Sequence, residues 1–417
     1  MRIRTLLWPT LLACAASCGR IGFDPGAGGD GGPPPGIDSA VFDSAVSDRP
    51  DMNGPDPDTL WWDPAWGYRV RVSFDAAVLE AQVGAFEDLI DIPLAVRLEE
   101  SGIDPVKIGP DGADVRFVAA DNVTALPYEI ERRPSGTGGG GGVVGAGAVF
   151  WVKVPSIRKG DLRNYVWLYY GNPDAADAQQ PAEVWSADYV GVWHLGEPAG
   201  ERQDSAGDGH HLSGEGPTGA PQDGDLLLGD SVSLSPLDPR PLQHPSFVEP
   251  GAGVAAFTVE AFIHPGSNDT DMMIAASSGP EGQRSFELRR LATQQIEFLI
   301  SLDCVDVIKS YYEDLVDISR WHHIAATYDL HTMRIYHNGF LKVEQAVVVT
   351  SEYPVCNGQA PFVLGALDEQ TMRFSGRADE LRLSARAQSP AWIKAQYLAA
   401  RVSDFVFIAY GEHETRP

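Results

Sequence analysis

Along most of the chain, apolar and polar residues alternate with the two-residue period of a strand. Val70, Val72 and Phe74 alternate with Arg69, Arg71 and Ser73, so one face of that segment is apolar and the other polar. Further strands are expected at 92–98, 115–119, 148–154 and 165–170, with turn residues such as Gly109-Pro110-Asp111-Gly112 between them. In the second half, Phe257, Val259, Ala261 and Ile263 fall on one face, and Thr258, Glu260 and His264 on the other. Met333, Ile335 and Tyr336 lead into Asn338-Gly339, then Leu341, Val343 and an apolar run to Val349. Asn-Gly between two such runs predicts a two-residue hairpin, because both positions tolerate positive φ. One helix is expected near the end: Ser389 can cap it, Pro390 suits its first turn, and Ile393, Tyr397 and Ala400 share a face. The pattern predicts an all-β chain, with a sandwich-like domain over 59–185 and a second β-sandwich over 186–414.

The first residues follow a different pattern. Arg2 and Arg4 precede a short apolar stretch, 5–16, that is interrupted by Pro9. It is shorter than the ~20 residues a membrane span needs, and it reads as an export signal over 1–18. Gly, Pro, Asp and Ser dominate 19–58, a composition expected of a disordered acidic tether. The glycine tract 136–142 reads as a flexible loop. No Lys-Ser/Thr follows it, so it does not read as a phosphate cradle.

Charge and cysteine content narrow the function classes. The 417 residues carry 58 acidic and 31 basic side chains, a net charge of -27. Such a surface repels phosphate backbones and anionic headgroups, so no nucleic-acid partner and no direct contact with an anionic membrane surface are expected. Four cysteines are present: Cys14, Cys18, Cys304 and Cys356. The last two lack zinc-site spacing. In an exported chain they are expected to form a disulfide, two buried thiols being the alternative.

Three segments resemble known families. Ala15-Ala16-Ser17-Cys18-Gly19 resembles the lipobox of bacterial lipoproteins, which implies lipidation of Cys18 and an envelope location, with the outer membrane as the expected anchor. Trp66-Gly67-Tyr68-Arg69, Gly112-Ala113-Asp114-Val115-Arg116-Phe117, Leu126-Pro127-Tyr128-Glu129-Ile130-Glu131 and Leu168-Tyr169-Tyr170-Gly171-Asn172 together resemble the domain of unknown function 2341, a family without an established activity. Gly191-Val192-Trp193-His194-Leu195, Trp321-His322-His323-Ile324 and Gly376-Arg377-Ala378-Asp379-Glu380-Leu381 resemble concanavalin A-like, laminin-G-type jelly rolls. That resemblance implies a jelly-roll sandwich that binds sugars, proteins or calcium, or serves as a spacer.

This background limits what the chemistry-bearing residues can do. Glycan hydrolases on this fold need two carboxylates flanking the scissile bond. Glu313-Asp314 with Asp317, and Asp368-Glu369, lack the required alternation, and Asp379-Glu380 are adjacent, so they are expected on opposite faces of a strand. The laminin-G resemblance implies one structural Ca²⁺ on Asp204, Asp208 and Asp379, the alternative being turn-forming aspartates. The adjacent pairs His210-His211 and His322-His323 point to packing roles. Trp61, Trp62, Tyr311 and Tyr312 are candidates for a sugar platform, while Trp193 and Trp321 are expected in the core. The expectation is a non-catalytic binding or display module for a glycan or an extracellular protein. A structural spacer and a glycoside hydrolase are the alternatives.

Overall fold

The computed structural model describes residues 60–416 except 99–100, 110, 133–147, 186–187, 217, 220–227, 246–254, 281, 319, 349–353, 369–370 and 402–405. The export signal, Cys14, Cys18, the acidic tether and the 136–142 glycine tract lie outside the described residues. No described helix is long and apolar enough to cross a membrane.

The alternation at 69–74 does produce a strand. Tyr68–Phe74 pairs antiparallel with Tyr165–Tyr170 on one side and Ile408–Thr415 on the other. This sheet continues through Arg116–Ala119 to Ala125–Leu126. A three-stranded sheet of Leu89–Arg97, Val149–Ile157 and Tyr128–Arg132 completes the first sandwich. Val70, Val72 and Leu168 from one sheet share a core with Ile92, Leu94 and Phe150 from the other. The closing strand Ile408–Thr415 falls within the stretch expected to belong to the second domain, yet its hydrogen bonds are made in the first. Nothing in its short alternating run specifies which sheet edge it joins.

The second sandwich has an eight-stranded and a six-stranded sheet. At the centre of the larger one, Phe257–Pro265 lies between His322–Tyr328 and Gly376–Ser384. The smaller sheet includes Met272–Ser277, Phe286–Arg290 and Ile296–Ile300. Phe257, Val259, Ala261 and Ile263 point into the core between the two sheets, with Trp193, Leu288 and Phe298. The Asn-Gly hairpin forms as expected. Thr332–His337 returns as Phe340–Ala346, with Asn338 at φ 52° and Gly339 at φ 71°. Cys304 and Cys356, 52 residues apart, are joined by a disulfide, which contributes roughly 4 kcal/mol in the chain-entropy account.

The expected helix spans Pro390–Ala400, and the Ser389 side chain accepts from the Trp392 amide at 3.2 Å. It is not amphipathic in use: every residue from Ala391 to Ala400 is buried. The reason is its position between the two sandwiches. The Gln396 amide reaches the Pro93 carbonyl at 3.3 Å and the Tyr189 hydroxyl at 3.0 Å. Arg97 donates to the carbonyls of Ala399 and Arg401, placing a cation at the helix C-terminus. The first core thereby continues through Trp185, Tyr189, Phe262 and Trp392 onto the outer face of the eight-stranded sheet.

Candidate functional site

Where the first sandwich meets that outer face, the side chains become charged. On Tyr128–Arg132, Glu129 and Glu131 are two residues apart, and across the register shift between Ile130 and Arg132 both line one cleft. The Trp151 indole, on the neighbouring strand, donates to Glu131 Oε2 at 2.7 Å. Glu129 accepts from the Trp185 indole at 2.8 Å on Oε2 and from the Ser205 hydroxyl at 2.6 Å on Oε1. From the second sandwich, His194 follows the strand Tyr189–Trp193. Its Nε2 lies 3.2 Å from Glu129 Oε2 and its Nδ1 lies 2.6 Å from Glu380 Oε1.

Glu380 reaches this cluster through a β-bulge. The register between Phe257–Pro265 and Gly376–Ser384 shifts between Glu260 and Phe262, and Glu380 adopts φ 50°. Alternation is broken there, so Asp379 and Glu380 act on the same cluster. This corrects the expectation that they face opposite sides. Arg382 donates to Glu380 Oε2 at 2.6 Å and lies 3.5 Å from Glu260 Oε1. Its guanidinium stacks 4.5 Å from the Trp151 ring centre. His323 Nε2 faces Glu260 Oε2 at 3.0 Å. One polar chain thus runs from Ser205 through Glu129, His194, Glu380, Arg382 and Glu260 to His323.

Proton affinities divide this chain. Burial opposes charge on Glu129, but His194, Ser205 and Trp185 hold its carboxyl below the usual range. Burial likewise opposes charge on Glu380 and Glu260; His194 and Arg382 reverse this for the first, His323 and Arg382 for the second. Burial would lower His194, yet Glu380 and Glu129 lift it well above its ordinary value. Glu131 is pushed up to about 8, first by burial and then by the Glu380 charge. Asp379 is raised well above its usual value by burial, then by Glu380 and Glu131.

Above the cluster opens a cleft of about 580 Å³, with Glu129, Glu131, His194, Gln203, Ser205 and Asp230 in its walls. Gly229 belongs to the same wall at φ 32°, and a Cβ there would stand 2.6 Å from Glu131 Oε1, so a side chain at this position would displace the Glu131 carboxyl. The walls offer mostly hydrogen-bond acceptors. They suit hydroxyl donors, cationic groups or a metal ion, and they place a carboxyl that is protonated near neutral pH beside ionised ones.

The three aspartates expected to hold Ca²⁺ do not converge. Among the described residues, the group of His, Cys, Asp and Glu whose ligand atoms lie within 4.8 Å of one another is Glu131, His194 and Glu380. Asp204 instead accepts from the amides of Val192, Ala206 and His210 at 3.0, 2.9 and 3.1 Å, which orders the loop that presents Ser205. Asp208 is exposed, and Asp379 sits at the buried cluster. His322 and His323 are both buried, the first against His337. Trp61 and Trp62 pack around Trp66 and Tyr169, while Tyr311 is exposed and Tyr312 is buried. Trp193 and Trp321 are in the cores. Glu129 and Glu131 were missed as a pair, although Glu129-Ile130-Glu131 carries the two-residue spacing in the sequence.

None of the curated proteins matches the sequence. Among solved structures, the receptor-binding domain of botulinum neurotoxin D is 13% identical with a TM-score of 0.40, the match covering 50% of this chain and 52% of that one. The serotype D ligand-binding domain in complex with N-acetylneuraminic acid is 12% identical with a TM-score of 0.36, covering 50% of each chain. The binding domain of Paraclostridial Mosquitocidal Protein 1 is 12% identical with a TM-score of 0.39, covering 50% of this chain and 52% of that one. This chain therefore spans about half the length of each. The family model for the concanavalin A-like lectin/glucanases superfamily matches residues 242–394, and that for the domain of unknown function DUF2341 matches 111–189. The chain thus carries a concanavalin A-like domain preceded by a DUF2341 domain, built as all-β sandwiches.

Proposed function

We propose that this protein is a binding and display module of the bacterial cell envelope, anchored by a lipid on Cys18, and that the acidic cleft between its sandwiches receives a carbohydrate. One observation carries the reading. An open cleft of about 580 Å³ is walled by Glu129, Gln203, Ser205 and Asp230, a set of acceptors suited to sugar hydroxyls. The lectin branch of the matched superfamily supports the same ligand class. The test is a glycan array with the full chain, followed by Gln203→Ala and Asp230→Ala at the cleft wall. A glycan hit weakened about tenfold or more by either substitution is expected. A hit that neither changes would move the site elsewhere. A blank array with a protein captured by the same surface would favour the protein-ligand alternative, and a blank in both would favour a spacer. Intact mass of membrane-fraction protein tests the anchor, and an unmodified N-terminus would exclude it.

A second reading rests on Glu131. A carboxyl titrating near 8 beside ionised Glu129 resembles the acid of a glycoside hydrolase with its partner carboxylate. Release of reducing ends from a polysaccharide, abolished by Glu131→Gln, would support it. No release from any bound glycan would exclude it.

A further inference from the structure

We propose that Glu131, His194 and Glu380, with Asp379 behind them, bind one divalent transition-metal ion of the zinc or manganese type. The inference does not depend on the ligand reading above. The ligand atoms of the first three residues lie within 4.8 Å of one another. In a tetrahedral zinc site they stand about 3.3 Å apart, from metal–ligand distances near 2.0–2.2 Å. The His194 Nδ1–Glu380 Oε1 hydrogen bond, at 2.6 Å, has to open to that spacing as the ion takes the place of its proton, which small side-chain rotations allow.

Each of these side chains has one polar atom committed outward and another left for the centre. Glu131 Oε2 accepts from Trp151, and its buried Oε1 has no hydrogen-bond partner. Glu380 Oε2 accepts from Arg382, and its Oε1 points to His194. His194 Nε2 is held by Glu129, so Nδ1 faces inward. Asp379, with none of its surface exposed, spends Oδ1 on the Glu380 amide, and its Oδ2 has no partner. Its carboxyl faces the charges of Glu380, Glu131 and His194. Two buried, unpartnered acceptor oxygens are costly unless a proton or cation meets them.

The outward bonds match what a metal site needs around its ligands. A ligating imidazole usually gives its other nitrogen to a carboxylate, which fixes ring orientation and tautomer; Glu129 holds that place, itself held by Ser205 and Trp185. One imidazole nitrogen among carboxylate oxygens selects zinc or manganese over calcium, which takes six to eight oxygens. Glu131 and His194 also line the cleft, which gives the ion an entry path and leaves a coordination position open to solvent or ligand.

The experiment is isothermal titration of the full chain, stripped with EDTA and dialysed, with ZnCl₂, MnCl₂ and CaCl₂ in turn. One equivalent of zinc or manganese is expected to bind and raise Tm. Glu131→Gln should weaken that binding 30-fold or more. Asp379→Asn, which keeps the acceptor for the Glu380 amide, should weaken it about fivefold or more. Tm in EDTA reports whether each variant is folded, and either one alone suffices for the test. Absence of stoichiometric zinc or manganese binding, or equal affinity in wild type and both variants, would overturn the proposal. Binding of calcium alone would overturn the assignment of metal class. A blank glycan array leaves this titration unaffected, so the two readings fail separately.

Discussion

Phe257–Pro265 is buried on both faces, and the two faces use different chemistry. Toward the six-stranded sheet it presents Phe257, Val259, Ala261 and Ile263 to an apolar core. Toward the helix and the first sandwich it presents Thr258 and Glu260, which are only 2% and 3% exposed, beside Phe262, which joins the first core. The Thr258 hydroxyl donates to the Arg386 carbonyl and accepts from the Gln388 amide, and Glu260 meets Arg382 and His323. The apolar face holds by area, which is non-directional. The polar face holds by hydrogen bonds of fixed geometry, and so it sets how the strand, the helix and the first sandwich are oriented. Such a network adds little over apolar packing of equal volume, yet removing one partner from it is expensive.

Three tests break or sharpen this comparison, in descending order of effect. Arg382→Ala removes the cation between Glu260 and Glu380 and is expected to cost about 3–5 kcal/mol in urea denaturation. Phe257→Ala on the inner face should cost a similar ~3–5 kcal/mol. The difference lies in rescue. Adding Glu260→Gln should recover part of the Arg382→Ala loss, because it removes a stranded charge, whereas it should add to Phe257→Ala independently. A loss below about 1 kcal/mol for Arg382→Ala would mean that the polar face is not held by charge.

The second test concerns pH, in the presence of chelator. Glu131 moves from 4.5 to about 8 on folding, so between those values the folded protein holds a proton that the unfolded chain releases. The Glu131 contribution to stability therefore declines as pH rises from about 5 to about 8 and is constant above that. Asp379 acts in the same direction, as does His194, whose contribution is lost as pH rises through its elevated folded value. The groups facing Glu131 are Glu380, His194, Glu129, Asp379 and the Trp151 indole. Glu131→Gln should flatten the Tm–pH curve and melt above wild type at pH 8. An unchanged slope would place the titrating proton on another residue. The smallest effect is expected of Ser389→Ala, which removes the cap of the helix lying on the polar face. It should cost about 1 kcal/mol by the same denaturation assay.

Much of the fold was legible in the sequence because it is written in local signals. The alternation at 70–74, the Asn338-Gly339 turn and the Ser389-Pro390 helix start each act over a few residues, and each appears in the structure. The site was less legible because its parts come from distant segments. Glu129 and Glu131 could have been flagged by their spacing alone. Their partners His194 and Glu380 arrive from the other sandwich. The bulge at Glu380 reversed a sound argument from alternation, since a one-residue register shift leaves no mark in a single strand's sequence. Asp204, expected as a Ca²⁺ ligand with a turn-forming aspartate as the alternative, spends its carboxylate on backbone amides.

The strand Ile408–Thr415 has a consequence for how the chain is made. It supplies the outer neighbour of Tyr68–Phe74, so the first sandwich to leave the ribosome is the last to be finished. Roughly 240 residues separate Tyr170 from Ile408, and at ~5–20 residues per second their synthesis takes roughly 10–50 s. Throughout that interval one edge of the early sheet is open, and open edges recruit stray strands. The concanavalin A-like domain can fold within the wait, and its completion brings the missing strand home.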